Sequence, residues 1–108
     1  MIQIELRKNR EGLLTGYEVL GHAEDAPMGN SVLCAWVSAV TQMALIGLEQ
    51  EIKHAVSYET DETKGLLKVR LKGTADSRTQ DILGTMERTL RQVAAAHPKE
   101  VEIREHRG

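Results

Sequence analysis

Cysteine is nearly absent from this chain of 108 residues: Cys34 stands alone, so no intrachain disulfide can form and stability must come from a packed core. Aromatic residues are almost as scarce. Trp36, Tyr17 and Tyr58 make up 3% of the chain and phenylalanine is missing, which leaves Leu, Ile, Val, Ala and Met to fill the interior. No charge dominates either: 14 Lys and Arg stand against 16 Asp and Glu, a net charge of −2. Such a balance gives no electrostatic grip on nucleic acid, and no direct nucleic-acid partner is expected. The first residues, Met1-Ile2-Gln3-Ile4-Glu5-Leu6-Arg7, carry charge too early and lack the apolar run of a signal peptide. The longest apolar stretch, residues 32–48, is interrupted by Ser38, Thr41 and Gln42, and it reads as a buried helix instead of a membrane span. A cytoplasmic protein without membrane contact is the expectation.

What is present is globular composition, 41% hydrophobic and 28% charged, at a length that suits one domain spanning 1–108. Ile2, Ile4 and Leu6 alternate with Gln3, Glu5 and Arg7, the period-two pattern of a half-buried strand. A turn at 9–12 leads to a second strand over 13–20, and the two are expected to form a hairpin. Gly21, Pro27, Gly29 and Asn30 make residues 21–31 a loop. Ser31 is a good N-cap for a helix from Val32 that is apolar on nearly every face. One side of that helix can pack on a sheet, and the other must find a second helix or a second subunit. Residues 54–60 and 65–72 read as a second hairpin joined through Asp61-Glu62-Thr63-Lys64. A second helix follows, with Ser77 and Gln80 as a capping box, a stripe of Ile82, Leu83, Met86, Leu90, Val93 and Ala94, and Pro98 beyond its end. Val101 and Ile103 mark a last strand. The order ββαββαβ predicts an α+β fold with two helices on a largely antiparallel sheet.

Chemistry concentrates in Gly21-His22-Ala23 and in Gly29-Asn30-Ser31-Val32-Leu33-Cys34-Ala35-Trp36-Val37-Ser38. With Ser31 as N-cap, Cys34 falls in the first helical turn, where unpaired N–H groups and the helix dipole favour a thiolate. The loop leads directly into the helix, so it can fold back and bring His22 to the sulfur, where the imidazole could take the thiol proton and return it to a leaving amine. First-turn N–H groups can serve an oxyanion. The bland reading is an inert helix cysteine and a surface histidine at a strand end.

The two clusters resemble the signature of the ribosomal-processing cysteine peptidases, the Prp family: Gly-His-Ala, a short loop with Gly-x-Asp, a hydrophobic pair, Cys-Ala and Val-Ser. Here the matches are Gly21, His22 and Ala23, then Gly29, Val32 and Leu33, Cys34 and Ala35, Val37 and Ser38. The resemblance implies a catalytic Cys34–His22 dyad without metal or cofactor, and a homodimer. It also implies a task, removal of the N-terminal segment of a large-subunit ribosomal protein during ribosome assembly, after a pair of bulky aromatic residues. Two positions depart from the pattern. Ser31 stands where many relatives carry Asp, and Trp36 replaces a small residue of the usual Cys-Ala-Ala run.

Weaker candidates are the substrate-binding positions Gly21, Gly29, Ser31 and Ser38. Ser38 lies one turn beyond Cys34 and either faces substrate or bonds back to the Cys34 carbonyl. Gly21 and Gly29 are either hinges of a closing loop or ordinary turn residues. Trp36 points away from the Cys34 face and suits core or dimer interface. His54, His97 and His106 show no metal-ligand spacing with Cys34 and read as surface residues. Lys68, Arg70 and Lys72 read as the solvated side of an edge strand. The alternative function is a non-catalytic, ribosome-associated module that binds protein or RNA.

Overall fold

A computed structural model describes residues 1–22 and 32–108. The strands are β1 (Ile2–Lys8), β2 (Leu14–Gly21), β3 (Val56–Asp61), β4 (Leu66–Leu71) and β5 (Val101–Arg107). The helices are α1 (Val32–Ile46), which runs on into a π-helical segment at Gly47–Glu51, and α2 (Ser77–Ala96). The predicted order ββαββαβ is therefore the observed one, and residues 23–31, which hold Gly29 and Ser31, lie outside the described part.

One five-stranded sheet runs in the order β3-β4-β2-β1-β5. β1–β2, β2–β4 and β3–β4 are antiparallel, and β1–β5 is parallel, so the sheet is mixed but largely antiparallel. Its apolar face follows from the alternation read in β1. Ile2, Ile4 and Leu6 are buried, Ile4 pairs with Val19, Leu6 with Tyr17 and Ile2 with Val101. Leu33, Val37 and Ala44 of α1, with Leu83, Met86 and Leu90 of α2, join them in one core. As the shortage of aromatics requires, the filling is aliphatic, and Tyr17 is the sole aromatic among the core residues described.

Tyr17 also fixes α1 in place. Its buried hydroxyl donates to the Thr41 carbonyl at 2.7 Å, and burial pushes the phenol far above the ordinary tyrosine range. Thr41 is itself buried, and its hydroxyl donates back to the Val37 carbonyl at 2.8 Å.

The cap of α2 differs from the sequence expectation by one residue. Asp76 is the N-cap: its side chain accepts from the Thr79 N–H at 2.8 Å, and the Thr79 hydroxyl accepts from the Asp76 N–H at 3.0 Å. Gln80 is committed elsewhere, since its amide accepts from Leu14 N–H and donates to Leu14 C=O, both at 2.8 Å. This pair pins the start of α2 to the start of β2.

Three further readings need correction. The hairpin strand expected to begin at Gly65 begins at Leu66, because Gly65 is a left-handed turn residue with φ +64°. β4, carrying Lys68 and Arg70, is an inner strand. It lies between β3 and β2, and Lys68 approaches Glu18 of β2 at 3.9 Å. The long first helix buries one stripe only, Leu33, Val37, Thr41 and Ala44. Val32, Trp36, Met43 and Ile46 are exposed, and Trp36 meets His97 edge to face at 6.4 Å instead of filling the core. The run Val32–Glu51 is long and apolar enough to cross a membrane by length and composition, yet its buried stripe packs on the sheet through the contacts just described.

Candidate active site

A cleft of about 860 Å³ opens between α1 and the β3–β4 hairpin. α1 contributes Cys34, Ser38, Gln42 and Leu45, and the hairpin contributes Thr60 to Thr63 with Gly65 and Leu66. The ends of β1 and β2 supply Ile2, Val19, Gly21 and His22. Buried Ile2, Val19, Val37 and Leu67 make the interior of the cleft apolar, while Asp61 and Glu62 place carboxylates at its hairpin side.

Cys34 is the third residue of α1 and half-buried, so it sits within the first turn as the sequence predicts. His22 follows the last residue of β2. Four sequence candidates, Gly21, His22, Cys34 and Ser38, thus line one cleft, although the first two come from the sheet and the others from a helix. Gly29 and Ser31 fall outside the described residues. Ser38 is exposed on the cleft side; the hydroxyl that bonds back along the helix belongs to Thr41, which reaches Val37 and Ser38 carbonyls.

The backbone around His22 is held from two directions. The Met1 amino group donates to the His22 carbonyl at 2.8 Å, and the Gly21 N–H donates to the Lys64 carbonyl at 3.2 Å. Gly21 has φ +101°, and a Cβ there would collide with the Met1 carbonyl oxygen, so glycine is required by conformation and by space alike. The imidazole Nε2 is buried and makes no hydrogen bond among the described residues.

The hairpin tip carries residues that sequence reasoning passed over. Asp61 Oδ1 accepts from the N–H groups of Thr63 at 3.0 Å and Lys64 at 3.3 Å, an Asx turn that brings Gly65 against Gly21 and His22. The signal was available: an Asp followed by polar residues and a glycine between two strand patterns marks a turn with a left-handed position. Gly65 instead reads as the first residue of a strand when alternation alone is followed. No group of three His, Cys, Asp or Glu able to hold a metal ion occurs among the described residues. His54 bonds the Lys72 carbonyl and His106 bonds Glu5 at 2.7 Å.

Comparison with known proteins decides the family. The sequence model described as cysteine protease Prp matches residues 1–102. The chain belongs to the Prp cysteine protease family. Ribosomal processing cysteine protease Prp of Staphylococcus aureus is 29% identical over 106 residues, covering 95% of this chain and 97% of the relative. The Prp fold is shared with solved structures. Staphylococcus aureus Prp with a covalently linked product peptide superposes with a TM-score of 0.90 at 24% identity, over 97% of this chain and 99% of the other. A Streptococcus mutans protein gives a TM-score of 0.86 at 24% identity, over 100% of this chain and 99% of the other. The chain is thus a cysteine protease with the Prp architecture along its length.

Proposed function

We propose that this protease is an endopeptidase that cuts the N-terminal segment from a large-subunit ribosomal protein during ribosome assembly, with Cys34 as nucleophile and His22 as general base and acid. The observation that carries the reading is the convergence of His22 and Cys34 on one cleft. Cys34 is the sole cysteine of a chain in a cysteine protease family, which leaves no other thiol for the chemistry.

His22 takes the Cys34 proton as Sγ attacks the scissile carbonyl carbon, and the carbonyl electron pair moves to oxygen. N–H groups of the first turn of α1 face that oxyanion. Collapse of the intermediate breaks the C–N bond, His22 protonates the leaving amine, and a thioester remains on Cys34. Water deprotonated by His22 then hydrolyses the thioester and frees the thiol. The apolar interior of the cleft suits the bulky side chains expected before the cut bond. Gly21 and Ser38 border that space, and Gly29 and Ser31 complete the proposed substrate-binding set.

The Staphylococcus aureus relative is a ribosomal processing protease, and this supports the choice of substrate class. Residues 1–108 act as one peptidase domain in the cytoplasm, where ribosomes assemble. The exposed apolar stripe of α1, with Val32, Trp36, Met43 and Ile46, receives a second copy of the chain.

A peptide spanning the N-terminal extension of the ribosomal protein from the same organism tests the reading, with Cys34→Ala and Cys34→Ser as controls. Cleavage at a single bond by the native chain alone is the expected result. A folded native chain that binds the peptide without cutting it overturns the proposal in favour of a non-catalytic binding module.

A further inference from the structure

We infer that Gly65, in the turn between β3 and β4, is a positioning residue for the His22 imidazole. The inference rests on the proposed dyad and adds to it the element against which the ring is set.

Register brings the two together. Val19 pairs with Leu67, so two residues further along β2 Gly21 comes opposite Gly65. The Gly21 N–H bonds the Lys64 carbonyl at 3.2 Å, and the turn itself closes through the Gly65 N–H to the Glu62 carbonyl at 3.2 Å. A Cβ built on Gly65 would stand 2.5 Å from the Gly21 oxygen, 2.9 Å from His22 Cε1 and 3.0 Å from His22 Nε2. The bare Cα of Gly65 is therefore the surface on which the Cε1–Nε2 edge of the ring lies. That edge contains the buried nitrogen that makes no hydrogen bond among the described residues, so packing against backbone limits where it can point.

Turn conformation alone does not account for the glycine. Gly73 also has a left-handed backbone, φ +77° against +64° at Gly65, yet a Cβ there would meet nothing within 4 Å. Gly73 shows what the conformation asks for, and Gly65 adds a contact with the proposed base. A side chain at 65 must displace both the Gly21 carbonyl, which is strand backbone, and the imidazole. The ring, joined by rotatable bonds, moves further than the strand carbonyl and is turned out of place.

Gly65→Asn and Gly73→Asn separate the two demands, because asparagine tolerates the left-handed region. Thermal unfolding, peptide cleavage and the alkylation rate of Cys34 by iodoacetamide are measured for both, beside the native chain and His22→Ala. Gly65→Asn is expected to melt below Gly73→Asn, since it also crowds the Gly21 carbonyl, and in the folded protein to lose kcat on the order of 10²-fold with KM little changed and to slow alkylation to the His22→Ala rate. Gly73→Asn is expected to keep native rates. Native rates in Gly65→Asn overturn the positioning role while leaving the dyad intact. Native rates in His22→Ala overturn the dyad itself. If Gly65→Asn does not fold, proton NMR of the native chain decides: a strong cross-peak between His22 Hε1 and the Gly65 α-protons supports the contact, and its absence removes it.

Discussion

The Tyr17 hydroxyl donates to the Thr41 carbonyl, so a phenol rising from β2 holds the middle of the helix that carries Cys34. Tyr17→Phe keeps the ring in the core and removes the phenol's hydrogen bond to the Thr41 carbonyl. A loss of about 1–2 kcal/mol is expected, read from the urea midpoint at constant slope. An unchanged midpoint would mean that water reaches the carbonyl.

Gly16 is fixed by space alone. A Cβ there would lie 2.6 Å from the Val69 carbonyl oxygen and 3.2 Å from Arg70 Cδ, inside the β2–β4 pairing. Gly16→Ala should cost about 1–3 kcal/mol. It should also increase amide hydrogen exchange along β4 ahead of β1, and uniform exchange across the sheet would contradict that placement.

Acid should weaken the fold through Asp76. The backbone N–H of Thr79, foremost, holds the Asp76 carboxyl below the ordinary aspartate range. Its contribution to stability is complete above the unfolded value of about 3.9 and disappears as pH falls through the lower folded value. Glu5 moves the same way, chiefly through its hydrogen bond with His106, whereas burial raises Glu18. Urea midpoints followed below about pH 5 should fall less steeply in Asp76→Asn than in the native chain. Parallel acid limbs would show that the cap does not sense pH.

The exposed stripe of α1 predicts association. Sedimentation of the native chain at micromolar concentration should give a species above 12.0 kDa, and Trp36→Glu with Met43→Glu should return it to that mass. A native chain that already sediments at 12.0 kDa removes the case for a dimer.

Much of this was legible from the chain itself. Period-two alternation located β1, and the stripe of Leu83, Met86 and Leu90 located α2, because each element buries a single face. Strand order was not legible. Residues 66–71 carry alternating basic residues as an edge strand does, but partner choice depends on the twist and stacking of the whole sheet, which spacing does not encode. The cap of α2 shifted to Asp76 because Gln80 had a stronger use in bonding both backbone groups of Leu14. At the site, His22 and Cys34 stand twelve positions apart in the sequence and line one cleft. Gly65 lies far along the chain and reaches them through strand pairing alone.

β5 joins β1 in parallel, from Ile2 with Val101 to Lys8 with Arg107, so the last strand of the fold protects the first. During synthesis the outer N–H and C=O groups of β1 remain an open rim until residues 101–107 emerge. The finished rim carries Glu102, Arg104, His106 and Arg107, charges that discourage a neighbouring chain from adding a strand. A lesion confined to β5 would therefore show itself first as aggregation of the protein, through the uncovered edge of β1.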